Sequence, residues 1–312
     1  MFIRKVWHFF AFSLEFIPNK LQMEICHYIL ISTHANRPFG LDLRFIAGGN
    51  PKPLILFLHG FKGFKDWGPF DAMASAFASE GFIFAKMNFS HNGTTPEHPT
   101  EFVDLQAFAN NNFCIELDDA GAALDFLLSS PPGLPQDELD KRQLYIMGHS
   151  RGGTSALLKA AEDSRLKAVA AWASPNNLSA WHSPEEIEYW AKTGTIYVLN
   201  SRTGQQMPMH FQIVENYRDN RDRLDVPAAV RRLKVPVLAL HGSADASVPS
   251  RSSAEMKSWN AGVQLEIIEG ADHTFGATNP WKEPTLPVAF EWAVRRTAGF
   301  FHSCAGSGSQ QG

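Results

Sequence analysis

The 312-residue chain has little cysteine: Cys26, Cys114 and Cys304 are odd in number and far apart. That excludes a disulfide framework and a zinc site of paired Cys and His. A reducing compartment is the expectation, so the chain is placed in the cytoplasm rather than outside the cell or in a periplasm. Charge of one sign is also lacking. The formal net charge is −4 and no run of like charges occurs, so no nucleic-acid partner is expected. There is no His-Glu-x-x-His and no clustered His/Cys spacing, and neither a metal nor a cofactor is expected. The longest apolar stretch, from Phe2 to Ile17, falls short of the roughly 20 residues that span a bilayer. It carries basic residues early, as a secretory leader does, but Glu15 interrupts it and no small-x-small cleavage site follows. Residues 1–23 are therefore expected to be an apolar extension with no stable membrane insertion. Residues 303–312 have the composition of a flexible linker and are expected to be a disordered tail.

What is present is an alternation of short apolar runs with helical patterns. Residues 24–32 and 41–47 are β-rich and flank Asn36-Arg37-Pro38-Phe39-Gly40, predicting an antiparallel opening pair about a turn. Residues 53–58, 82–88, 144–147, 166–173, 235–241 and 264–269 predict further strands. Several are apolar throughout, as strands buried on both faces are. Helices are predicted at 67–80, 111–129, after Ser150, and at 284–297. Strand, helix, strand in succession implies right-handed crossovers and a mostly parallel central sheet flanked by helices. The alternation stops between Pro175 and Lys234. There the composition turns aromatic and polar, with helices expected at 185–192 and 215–223 and a hairpin from strands 195–200 and 209–214. The reading is one domain over residues 24–302 with an inserted cap at 176–234. The insertion's aromatics (Trp181, Tyr189, Trp190, Tyr197, Phe211, Tyr217) could line a pocket or form the insertion's own core, the commoner role.

The chemistry centres on Gly148-His149-Ser150-Arg151-Gly152. An apolar strand precedes this Gly-x-Ser-x-Gly and a helical pattern follows, the context a nucleophile elbow requires. The two glycines permit a tight turn and close approach of helix to strand. A serine hydroxyl is a weak nucleophile at neutral pH and needs an imidazole to take its proton and a carboxylate to hold that imidazole. His273, in the loop after the last strand, is the expected base, and Asp245, just past the preceding strand, the expected acid. Asp272 is the rival carboxylate, but neighbouring side chains seldom converge on one another, and it reads as a turn residue. Two donors are needed for the oxyanion. They are expected from the backbone N–H groups of Arg151 and of Phe61, in the His59-Gly60-Phe61-Lys62-Gly63 loop. His59 is expected to bond loop backbone, His149 to pack beneath the elbow, and His91 to serve a turn.

These motifs resemble the α/β-hydrolase superfamily over about residues 24–300. The resemblance is carried by His-Gly-Phe at 59–61, Gly-His-Ser-Arg-Gly-Gly at 148–153, His-Gly-Ser-Ala-Asp at 241–245 and Asp-His-Thr-Phe at 272–275. Within it the chain is similar to the dienelactone-hydrolase and prolyl-oligopeptidase-like esterase branch, which includes cinnamoyl and feruloyl esterases. The resemblance implies an α/β-hydrolase fold and cofactor-free hydrolysis of a small-molecule ester by Ser150, Asp245 and His273, with oxyanion donors Phe61 and Arg151. It departs at Ser150-Arg151, where the branch more often has Ser-Gln or Ser-Met. A serine peptidase of the same branch ranks second, since such enzymes usually carry a large N-terminal propeller and about twenty-five residues precede the first strand here. A non-catalytic binding protein ranks third, because Ser, His and acid are all present.

Overall fold

The computed structural model describes residues 22–179 and 183–307. Most of the apolar extension (1–21), Trp181 with its neighbours (180–182) and residues 308–312 lie outside the described residues. The sheet strands are β1 (Met23–Ile31), β2 (Pro38–Ile46), β3 (Lys52–Leu58), β4 (Ile83–Met87), β5 (Leu139–His149) and β6 (Leu166–Trp172). After a two-stranded ribbon of β7 (Thr195–Asn200) and β8 (Gln205–His210) come β9 (Val237–Gly242) and β10 (Val263–Ile268). Eight strands make one sheet in the order β1-β2-β4-β3-β5-β6-β9-β10. β2 runs against both its neighbours, and from β4 to β10 the strands are parallel. The mostly parallel sheet flanked by helices has the α/β-hydrolase form that the sequence predicts.

The central strands are buried on both faces, so each needs a helical layer on either side. Leu54, Leu56 and Leu58 of β3 join a core with the helices Phe113–Leu128, Arg151–Glu162 and Val226–Arg232. Ile55 and Phe57 point the other way, into a core with Phe70–Ser79 and the closing helix Val288–Ser307. From β3 the chain winds to β4 on one side, then crosses back to β5 on the other. The carboxyl ends of β3 and β5 thus flank the point where winding reverses, the place where open parallel sheets leave a crevice.

Several boundaries differ from the sequence reading. β2 begins at Pro38, so the turn lies at 32–37, closed by the Ser32 N–H on the Arg37 carbonyl at 2.8 Å. A proline can open a strand because no ladder bond is asked of it there. The first helix starts at Phe70 rather than at 67, because Gly68 precedes Pro69 with φ +54°. In the insertion the hairpin's second strand is Gln205–His210, not 209–214, and Gln212–Asp219 is helical. Every strand of a two-stranded ribbon is an edge, so Pro208 is tolerated where a central strand would refuse it. The closing helix runs to Ser307, so residues 303–307 are helical rather than tail. Among the described residues no helix is long and apolar enough to cross a membrane.

Candidate active site

Ser150 stands between β5 and the helix Arg151–Glu162, with φ +54° and ψ −127°. A non-glycine residue held there costs on the order of 1–3 kcal/mol, and the surrounding backbone enforces it. The Ser150 N–H bonds the Trp172 carbonyl at the end of β6 (2.7 Å), while its own carbonyl accepts from Gly153 (2.9 Å). The flanking glycines are obligatory by space rather than by dihedral. A Cβ on Gly148 would overlap the Gly152 carbonyl, and one on Gly152 would overlap the carbonyls of Leu58 and His59. The turn therefore closes only if both positions lack a side chain. It lifts the hydroxyl to the sheet's carboxyl edge, beside the positive end of the helix.

The three expected catalytic side chains meet there. The Ser150 Oγ lies 3.0 Å from His273 Nε2, and His273 Nδ1 lies 2.7 Å from Asp245 Oδ2. Asp245 is fixed on its other side: Oδ1 accepts the N–H groups of Ser247 and Val248, each at 2.8 Å. Burial pushes its pKa up, but bonds from His241, His273 and the Val248 N–H outweigh that and hold it well below the usual carboxylate range. Asp272 turns instead to its own loop, accepting from the N–H groups of Thr274 (3.1 Å) and Gly276 (2.8 Å).

His241 is a neighbour that sequence reasoning passed over. Fully buried at the end of β9, it sets Nε2 3.2 Å from Asp245 Oδ2 and 2.9 Å from the Val248 carbonyl, with Nδ1 2.7 Å from Ser253 Oγ. Its place four residues before the acid was visible in the sequence, but nothing there showed the chain doubling back. His149 packs below the elbow and donates from Nε2 to the His273 carbonyl at 2.8 Å. Burial pushes it down to about 3, so it stays neutral near pH 7. His59, pushed down by burial to about 4, bonds the Gly60 carbonyl through Nδ1 (2.9 Å) and accepts from Asn92 at Nε2 (3.3 Å). His91 is buried 2.8 Å from the Ser90 hydroxyl and does not border the Ser150 cleft.

Phe61 lies in the loop after β3, which passes directly over the elbow. A Cβ added to Gly60 would come within 3.0 Å of the Ser150 Cβ. The loop is rooted by Lys65, whose Nζ pairs with the buried Asp42 at 2.5 Å and whose N–H bonds Asn88 Oδ1 at 2.7 Å. Arg151 opens the following helix, and its side chain accounts for the unusual Ser-Arg pair. The guanidinium, 2% exposed, pairs with Glu116 (3% exposed) at 2.7 Å and lies against the rings of Phe61 (5.5 Å) and Phe113 (4.5 Å). Glu116 also accepts from Asn111 (2.9 Å) and Ser155 (3.2 Å). Glu116 went unnoticed because an acid on a long helix carries no signal of burial.

A cleft of about 330 Å3 opens on Ser150 and His273. Trp67 and Phe70 supply its apolar wall, Gly60 to Gly63 one rim, and Asn200, Ser201 and Arg202 of the β7–β8 turn the other. None of the described insertion aromatics borders it. Trp190 is buried, with Nε1 on the Met209 carbonyl (2.9 Å), and Tyr217 joins it around a small cavity of about 60 Å3, while Tyr189 and Tyr197 face outward. The insertion reaches the cleft through polar residues.

The sheet order, the strand–turn–helix at Ser150 and the position of the site at a winding reversal define an α/β-hydrolase. Residues 69–293 match the model of the prolyl oligopeptidase family, and the chain belongs to that family of serine hydrolases. Among solved structures it is similar to Est1E from Butyrivibrio proteoclasticus, with a TM-score of 0.63 and 18% identity over 89% of this chain and 99% of that one. It is also similar to a Mycobacterium tuberculosis puromycin-hydrolyzing peptidase, with a TM-score of 0.61 and 18% identity over 93% of this chain and 41% of the peptidase. A curated relative, the quorum-quenching protein AidA of Acinetobacter baumannii, is 28% identical over 117 residues. That match takes in 38% of this chain and spans about a third (34%) of AidA.

Proposed function

We propose that the protein is a serine carboxylesterase acting through an acyl-enzyme on Ser150. The observation that carries the reading is the continuous bonded path from Asp245 through His273 to the Ser150 hydroxyl, opening on a cleft. His273 takes the hydroxyl proton as Oγ attacks the ester carbonyl, and Asp245 holds the imidazole in the tautomer that leaves Nε2 free to accept. The carbonyl oxygen becomes an oxyanion, received by the backbone N–H groups of Phe61 and Arg151. Collapse breaks the bond to the alcohol, which leaves with the proton from His273. Water then repeats the sequence on the acyl-enzyme, losing a proton to His273, and releases the acid. The cleft's volume suits a small acyl group or one aromatic ring beside the scissile bond. The insertion, in this reading, is a cap whose β7–β8 turn borders the substrate.

Cleavage of amides is the second reading, favoured by the family itself and by the likeness to a peptidase. The test is a panel of short-acyl, long-acyl and feruloyl esters beside peptide anilides, on wild type and Ser150→Ala. Ester turnover that Ser150→Ala abolishes is the expected result. Anilide turnover above ester turnover would move the assignment to a peptidase, and equal rates for wild type and variant would remove the nucleophile.

A further inference from the structure

The cleft carries two cations for which the esterase reading has no use. Lys62 and Arg202 both border it, from opposite rims, and no acidic side chain borders it among the described residues. The chain's net charge of −4 makes such a one-sided pair the more unexpected.

Each is held in place by the fold. Lys62 follows Phe61 directly with φ +54°, a conformation that an L-residue adopts at a cost. Its Nζ donates to the Leu199 carbonyl of the opposite rim at 3.0 Å, which leaves further N–H donors on the ammonium. Arg202, in the β7–β8 turn, lays its guanidinium over Phe64 (5.4 Å) and Phe102 (5.9 Å). Gln205 of the same hairpin bonds the Phe102 carbonyl at 3.0 Å, tying the turn to that platform. Stacking on rings fixes the guanidinium plane while its edge stays available, the arrangement that receives a carboxylate in two parallel bonds. Among the described residues neither cation has a carboxylate partner within ion-pair distance. Burial lowers the pKa of both, and the charge of Arg202 lowers that of Lys62 further. Lys62 is partly buried and Arg202 exposed at the rim, and a bound anion relieves the repulsion between the two like charges.

We infer that Lys62 and Arg202 form a subsite for a carboxylate on the substrate, so that the preferred esters carry a negative charge close to the scissile bond. This rests on the esterase reading for its chemistry but not for its binding. The strained β3 loop and the insertion's hairpin then act together in hydrolysis, the loop supplying an oxyanion donor and one cation and the hairpin the other cation.

The test compares matched ester pairs differing only in that charge: 4-nitrophenyl valerate against 4-nitrophenyl hydrogen glutarate, and phenyl acetate against 3-acetoxybenzoate, each rate corrected for its hydroxide-catalysed reaction. Two charge-assisted contacts predict that wild type favours at least one anionic partner by about tenfold or more in kcat/KM, and that Lys62→Met/Arg202→Met removes the preference. High salt should erode it as well. A second arm needs no turnover. On Ser150→Ala protein, ligand NMR should show benzoate binding more tightly than benzyl alcohol, and the Lys62→Met/Arg202→Met changes should equalise the two. If no ester is hydrolysed yet benzoate is still selected through these residues, the subsite stands and the reaction assignment falls. If neither arm shows a charge preference, or the double variant retains it, the subsite is overturned.

Discussion

Replacing Glu116 by Gln tests whether the ion pair beneath the elbow holds the site together. The two groups are 3% and 2% exposed and 2.7 Å apart, so Gln in place of Glu leaves a guanidinium charge buried with only ring faces and neutral acceptors around it. At an effective dielectric of about 20 the pair attracts by roughly 6 kcal/mol, most of which offsets the loss of hydration by both ions. Removing one partner forfeits the attraction while the other ion's desolvation remains, and such changes cost about 3–5 kcal/mol. Gln keeps the shape and one acceptor, which places the expected loss near the lower end, about 3 kcal/mol. With a urea slope of about 3 kcal/mol per molar, the unfolding midpoint should fall by about 1 M. The double change Arg151→Met/Glu116→Leu removes both charges and should recover most of the stability, giving a coupling of at least about 2 kcal/mol in a double-mutant cycle closed by the single changes Arg151→Met and Glu116→Leu. Because Arg151 is the residue next to Ser150, ester turnover should fall with Glu116→Gln as well. A Glu116→Gln protein within about 0.5 kcal/mol of wild type, or additive single and double changes, would refute the argument.

Asp245→Asn should keep the fold but leave His273 oriented in the wrong tautomer. A fall in kcat of about 10⁴ is expected, the size known for this change in a serine protease, and a loss under tenfold would count against Asp245 as the acid. Gly152→Ala should unfold or misassemble the elbow, since its Cβ meets two backbone carbonyls, and a soluble variant with normal activity would show that the turn is looser than described. Stability should also fall in mild acid. His59, His91 and His149 sit at about 4, about 4 and about 3 when folded against roughly 6.5 unfolded, so unfolding takes up three protons below pH 6.5. Asp119, pushed up by burial to about 6, binds its proton earlier in the folded state and offsets one of them. Between about pH 6 and 4 the net is two protons, or about 2.7 kcal/mol lost per pH unit, and urea midpoints that stay flat over that range would contradict it.

The central sheet was legible because its signals are local. An all-apolar run such as Leu54–Leu58 has one comfortable home, a strand covered on both faces, and the Gly-x-Ser-x-Gly turn is short enough to be read whole. The meeting of Ser150, Asp245 and His273 could be anticipated because each follows a strand at the same edge of a parallel sheet. What escaped notice depends on contacts between distant segments. Arg202 faces the cleft only because the hairpin turn arrives there, and Glu116 matters only because helix 113–128 lies beside the elbow. Short helices at 105–109, 226–232 and 251–259 were also missed. The first two are started by side-chain caps, Asp104 and Asp225, whose effect shows only once the chain has turned. In the insertion, aromatics suggested a pocket, but they pack on one another and leave the rim to polar residues.

The bond from His149 to the carbonyl of His273 joins the elbow to the opposite loop by a route that bypasses the reacting atoms. Deleting the Ser150 hydroxyl therefore leaves the imidazole moored. An alanine variant keeps a preformed but inert receptacle, which suits it to capturing an uncleaved substrate from a mixture of metabolites and holding it long enough to be identified.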